Sequence, residues 1–265
     1  MGTSKAYDSP KWPGVNGAVG EAVSEGRPTK EKIALAVGAF ASGYKGYLNS
    51  GTTGRPGSLT DGSSTGGRAS GSRGLGSGAT ARTRAAATGA RLAGFLSGAV
   101  TGGLNRALEE FDLSDFIGRP LEEVFDAILD KLCEDGGLLD DAALTDAMAR
   151  TFDELADEAE TVEEFDELLT GGTVDIERYL QIYYANVLAV NFEQKESGYV
   201  RERIPRAQTE KFFLEAKELI SAIIREELSQ DRDLASLDWN SPDGIAIADT
   251  INQEVLDILI PDDTY

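Results

Sequence analysis

Residues 49–82 read NSGTTGRPGSLTDGSSTGGRASGSRGLGSGATAR, with ten Gly, seven Ser and five Thr in 34 positions and no aromatic side chain. Such a tract has almost nothing to bury against the roughly 1–2 kcal/mol of backbone entropy lost per ordered residue, so it reads as a flexible linker. It also divides the chain electrically. Through Arg106 there are 13 Lys/Arg against 5 Asp/Glu, or +8; from Ala107 onward there are 12 against 41, or −29, and the two sum to the formal −21. A cationic arm followed by an acidic body is the layout of a protein handled by partners. The body would be repelled by nucleic acid and by anionic lipid, so only the arm can approach either.

Away from this tract the pattern is helical. Residues 1–28 hold Pro10, Pro13, Pro28 and five Gly and read as an extended tail. Thr29–Leu48 is a short helix weakened by Gly38, Gly43 and Gly46. Helical character returns near Ala81 and runs to about Glu110, where Ala90, Gly94, Gly98 and Gly102 repeat at four-residue spacing. Two readings fit that stripe: a face that lets another helix approach closely, or a weak Ala/Gly helix that orders only when something packs on it, each interior Gly costing about 1 kcal/mol.

Further on, Pro120 stands in the first turn of a helix with Leu121, Val124, Phe125, Ile128, Leu129 and Leu132 at 3.6-residue period, stopping at Gly136-Gly137. A second helix covers about 141–159, and Thr161 with Glu164 makes a capping box for a short third. A long helix carries Ile176, Leu180, Tyr183, Val187 and Val190; others span about 206–229 and the region of Ile247, Ile251, Val255 and Ile258. No sustained alternating pattern marks a strand. The expected fold is all-α: a helical bundle body preceded by an extended N-terminal tail and a Gly/Ser/Arg-rich flexible segment. The expected divisions are a tail over 1–28, a helix over 29–48, a linker over 49–82 and an acidic all-α domain over 83–265.

The chain has no histidine and one cysteine, Cys133. That removes His-based triads, imidazole general bases and Cys/His transition-metal sites. Cys133 reads as a small core residue in a protein of a reducing compartment. The glycine-rich tract contains no lysine and is no P-loop. Asp231-Arg232-Asp233 begins like a calcium loop, but Ala235 and Ser236 stand where Asp/Asn and Gly belong. Leu92–Leu104 is 13 residues long, too short against the roughly 20 apolar residues a membrane helix needs. No secretory signal opens the sequence. A cytoplasmic protein that is not an enzyme is expected, with no membrane contact, no metal and no cofactor.

Arg55, Arg68, Arg73, Arg82, Arg84, Arg91 and Arg106 are candidate contacts for phosphates or for an acidic partner. No aromatic lies between Tyr47 and Phe95 to stack on single-stranded bases, so nucleic-acid binding is expected to be weak or absent. The alternative is a nucleic-acid-binding adaptor that uses residues 50–106. An acidic DNA mimic would fit the body and leave the arm without a purpose. Gly2 carries a different signal: its small size favours removal of Met1, exposing an α-amine whose ordinary pKa near 7.7–8.0 leaves a nucleophilic fraction at neutral pH. Myristoylation fits poorly, since Ala6 stands where that motif wants Ser or Thr.

The opening Met1-Gly2-Thr3-Ser4 is followed by Tyr7 and Pro10, then by the Arg/Gly/Ser/Thr-rich middle ending in ATARTRAAATGARLAGFL (79–96). LSDFIGRPLEEVFDAILDKLCEDGGLLDD (113–141) adds Gly118-Arg119-Pro120, Phe125 and Cys133 before Asp135-Gly136-Gly137. In order and spacing, over roughly residues 1–155, this resembles the B component of Qat anti-phage defence operons (QatB); beyond that only the helical, acidic character is shared. The resemblance implies a non-enzymatic subunit beside a P-loop ATPase (QatA-type), a QueC-like enzyme (QatC-type) and a TatD-like nuclease (QatD-type). It further implies that the QueC-like enzyme joins a 7-deazaguanine to the amine of Gly2, with Thr3 and Ser4 read during recognition. Asp8-Ser9-Pro10-Lys11-Trp12 departs from the Gly-rich run expected there.

Overall fold

The computed structural model describes residues 12, 14–24, 28–50, 78–133, 139–156, 159–171, 174–227, 234 and 237–261. Among them the chain forms ten α-helices, one 3-10 turn (Ser114–Phe116) and no strand, as the periodicities require. In chain order the helices are α1 (Val15–Val23), α2 (Lys30–Asn49), α3 (Gly78–Gly102), α4 (Leu104–Glu110), α5 (Leu121–Leu132), α6 (Leu139–Ala156), α7 (Val162–Thr170), α8 (Ile176–Arg201), α9 (Arg206–Glu227) and α10 (Pro242–Leu259).

Helix α8 is the axis of the bundle. Asp175 caps it, its carboxylate accepting from the Glu177 and Arg178 amides at 3.0 and 3.3 Å. The seam Ile176, Leu180, Tyr183, Val187 and Val190 is buried, but so are Tyr179, Tyr184, Leu188 and Phe192 on other sides. A helix buried on more than one side along its middle must be enclosed, and α3, α6, α9 and α10 pack around this one. Two of its buried side-chain amides donate inside the bundle: Asn186 to Thr151 Oγ1 of α6 at 3.2 Å and Asn191 to the Val187 carbonyl at 2.8 Å, while the Asn186 Oδ1 has no protein partner.

The capping box of α7 is present, with Thr161 Oγ1 accepting from the Glu164 amide at 3.2 Å. The Glu164 carboxylate returns to the Glu160 amide at 2.9 Å. Pro120 occupies the cap position of α5, one residue outside the helix it was placed in. Cys133 is likewise just past the helix, at its C-cap, half-buried against the core.

The helix expected from Ala81 to Glu110 is two helices. Gly103 adopts φ 85° and ψ 162°, a combination essentially reserved for glycine. The chain folds back there, and Asp166 Oδ1 of α7 accepts from the Leu104 amide at 2.6 Å. The small-residue stripe of α3 is thereby filled from within. A Cβ on Gly94 would lie 3.3 Å from Trp239 Cβ, one on Gly98 3.2 Å from the Glu110 carboxylate, and one on Gly102 2.3 Å from Arg106 Cδ.

Two features differ from the sequence reading near the N-terminus. Within the stretch read as an extended tail, Val15–Val23 is helical, with Val15, Val19, Ala22 and Val23 buried. Helix α2 is no isolated element either: it packs on α1, α3, α9 and α10, and Ile33, Val37, Phe40 and Leu48 belong to the same core as α8. Burial of side chains this size contributes about 1.5–3 kcal/mol each, enough to outweigh the cost of the glycines in both helices. Residues 51–77, most of the linker reading, lie outside the described residues, as do Asp231, Arg232 and Asp233.

Candidate functional site

Gly2, Thr3 and Ser4 lie outside the described residues, and so do Arg55, Arg68 and Arg73. Trp12 is the first described residue, and the site is built around it. Phe40, Tyr44 and Tyr47 fall at 4-3 spacing along one face of α2, and the Trp12 indole rests on all three, with ring centroids 5.0, 6.0 and 6.1 Å away. Gly43 makes the room. A Cβ there would stand 2.8 Å from Trp12 Cβ and 2.9 Å from Cε3, so any side chain at 43 displaces the indole.

The cluster continues inward. Phe40 meets Phe192 of α8 edge-on at 5.0 Å, and Phe192 meets Phe213 of α9 at 5.5 Å. Trp12 is thus the outer end of an aromatic ladder that crosses α2, α8 and α9. From α8, Lys195 Nζ lies 5.3 Å from the Trp12 centroid and 5.6 Å from that of Tyr47, a cation shared by two ring faces. Beyond Trp12 the chain is fixed again: the Val15 amide donates to the Trp12 carbonyl at 3.4 Å, and Tyr199 Oη of α8 donates to the Asn16 carbonyl at 3.1 Å. Arg84, one of the candidate arginines, lines a small niche with Tyr44, Tyr47, Asn191 and Lys195.

Other candidate arginines hold the fold together. Arg82 Nε lies 2.7 and 3.0 Å from the two Asp249 carboxylate oxygens on α10, and its Nη1 donates to Asn49 Oδ1 at the end of α2. The hydrogen bond to Asp249 holds the guanidinium pKa further above its ordinary value. Arg91 donates to the Leu132 carbonyl at 3.3 Å, and Arg106 pairs with Glu110 at 2.9 Å. Arg82 and Arg91 are partly buried and committed to partners within the protein, while Arg106 is exposed beside Glu110, so the described arginines do not form one free phosphate-binding row. Sequence reasoning missed the Trp12 site. Its signal was present in the aromatic spacing of α2 around Gly43, but Trp12 itself was read with the tail.

Two clefts open elsewhere. One of about 440 Å³ is lined by Glu21, Lys32, Leu35, Ala39 and Pro261. The other, of about 380 Å³, holds Arg106, Glu110, Asp112, Lys131 and Trp239. In the second the charges are paired with each other, Arg106 with Glu110 and Lys131 with Asp112 at 3.8 Å. Among the described residues no group of three or more Asp, Glu or Cys gathers closely enough to hold a metal ion, and no helix is long and apolar enough to cross a membrane. Tyr183 and Tyr184 are pushed well above the usual phenol range by burial, so both stay neutral core residues.

The family model described as Qat anti-phage system associated protein QatB matches residues 74–259, well over half of the chain. It takes in α3 to α10, so the likeness runs on through the acidic body past residue 155, where the sequence reading found only general character. It does not take in α1, α2 or the first 73 residues. No curated protein and no solved structure matches the chain. The all-α body, the matched range and the order of motifs within it agree: the chain belongs to the QatB family, a component of the Qat anti-phage defence system.

Proposed function

We propose that this chain is a non-enzymatic, cytosolic subunit of its Qat system, a scaffold for the P-loop ATPase and a substrate of the QueC-like enzyme. In this reading the modifying enzyme attaches a 7-deazaguanine to the α-amine of Gly2, exposed once Met1 is removed, and Thr3 and Ser4 are read beside it. The TatD-like nuclease completes the set of partners. Family membership supports the defence role. The substrate role rests on the Met1-Gly2 opening, whose small second residue favours removal of Met1 and exposes an α-amine with an ordinary pKa near 7.7–8.0.

The acidic surface supports the scaffold role. From Ala107 onward the excess is 29 negative charges, which steers cationic partner surfaces towards the body at long range. Phage challenge of cells carrying the complete operon tests the reading. Gly2→Pro, which replaces the primary amine by a ring nitrogen, abolishes protection while the chain still co-purifies with the ATPase. Full protection with Gly2→Pro contradicts the substrate role, and failure of the unmodified chain to co-purify with the ATPase contradicts the scaffold role.

A further inference from the structure

We propose that the cleft between α1, α2 and the end of α10 docks a second copy of this chain, in a two-fold pairing that seats Leu35 of each copy in the cleft of the other. The inference is independent of the substrate reading above and concerns residues which that reading does not use.

The cleft holds about 440 Å³, and six of its lining residues are apolar: Ala18 of α1, Leu35, Gly38 and Ala39 of α2, and Ile260 and Pro261 at the end of α10. Its floor is closely built. Gly38 lets α2 lie against Pro261, since a Cβ there would stand 2.7 Å from Pro261 Cδ and 3.1 Å from the Leu259 carbonyl oxygen. Leu35 borders that floor and is 56% exposed, which leaves a large apolar side chain in water next to a hollow. One helix thus carries both a projection and a recess. A two-fold interface needs that arrangement, because each of its contacts is made twice with the roles exchanged. Lys32, Leu35, Ala39 and Ser42 all line the cleft and follow one another at 3-4-3 spacing, the seam spacing of paired helices. With two such helices antiparallel about position 37, Leu35 falls opposite Ala39 and Lys32 opposite Ser42. Each pair sets a long side chain against a short one, so both recesses are filled at once.

Charge selects the same face and the same occupant. The chain is −21 overall and −29 from Ala107 onward, so two copies repel over most of their surface. Residues 14–24 and 28–50 carry Lys30, Lys32 and Lys45 against Glu21 and Glu31, or +1. The cleft itself holds one charge of each sign, Lys32 and Glu21. A cationic partner is drawn to the acidic body instead; an apolar, nearly neutral face is where a like-charged molecule can settle. Six apolar residues are few beside the roughly 20–30 a side of a standard interface, so the association is reversible and depends on concentration.

Sedimentation equilibrium of the purified full-length chain across about 1–200 μM provides the test. The mean mass is expected to rise from 28.2 kDa towards twice that value. Raising the salt from about 50 to 500 mM is expected to favour the pair, because screening weakens the repulsion between like-charged bodies and leaves the apolar contact untouched. Leu35→Glu places a carboxylate in each recess and is expected to raise the dimer Kd by about tenfold or more. Leu214→Glu, at an equally exposed leucine of α9 outside the cleft, leaves the Kd unchanged. Should Leu35→Glu fail to fold, Ala39→Phe, which fills the recess, decides by the same rise in Kd. A monomer at every concentration overturns the proposal, as does a pair that Leu35→Glu leaves intact. A monomer that instead needs Leu35 to bind another Qat subunit assigns the cleft to that subunit and overturns it too.

Discussion

Arg82 of α3 clasps Asp249 of α10 through two contacts of 2.7 and 3.0 Å from its Nε, and the same guanidinium reaches Asn49 at the end of α2. One side chain thus ties together α2, α3 and α10. Both partners are about three-quarters buried, at 25% and 24% exposure, so water screens them only in part. Arg82→Ala or Asp249→Ala strands the other charge and is expected to cost about 1–3 kcal/mol in urea unfolding. Arg82→Lys recovers only part of this, because an ammonium lacks the planar fork.

Gly43 is the complement of Trp12. Gly43→Val introduces a Cβ into a space where Trp12 Cβ is 2.8 Å away. The indole is expected to leave its aromatic shelf and its emission to shift to the red, while the buried Trp239 supplies a constant background in the fluorescence spectrum. Secondary structure measured by circular dichroism changes little, because α2 retains its other core contacts.

The fold-back after α3 depends on a backbone conformation. Gly103→Ala forces a side chain into φ 85° and ψ 162° with the Asp166 carboxylate 3.3 Å from the new Cβ. A loss of about 1–3 kcal/mol in unfolding free energy is expected from the strain. Asp166→Ala removes the acceptor of the Leu104 amide and costs about 0.5–2 kcal/mol, in the range of a lost helix cap.

Burial raises the Glu196 carboxyl pKa, against the opposing pull of Lys195. The folded protein therefore holds that proton more tightly than the unfolded chain does. The contribution to stability is present in full below the unfolded pKa of about 4.3 and is lost as pH rises through the folded value. Once the pH exceeds the folded value the ionised carboxylate is a liability, and Glu196→Gln is expected to raise the urea midpoint there. The gain shrinks as the pH of the measurement is lowered towards the unfolded value.

The body was legible because its signals are local. Helices α5, α6, α9 and α10 announce themselves by apolar period, and α7 by the Thr161–Glu164 box that the structure contains. What the sequence hid is tertiary. Helix α1 has nine residues with Gly17 and Gly20 inside it, too short and too weak to stand alone; packing on α2 and α8 makes it form. A continuous helix through Gly103 was the simplest reading until the fold-back gave that glycine a reason. The arginines of the arm looked equivalent as charges, yet Arg82 and Arg91 have partners 167 and 41 residues away that no local pattern reveals. Trp12 was counted as tail because its shelf is assembled from α2 and α8.

Intact-mass spectrometry of the chain, co-expressed with its complete operon and again with the QueC-like enzyme deleted, tests the central claim most directly. The account predicts a species lacking Met1 and carrying one 7-deazaguanine on the Gly2 amine, present only when that enzyme is. A Gly2 amine that remains unmodified with the full operon contradicts it.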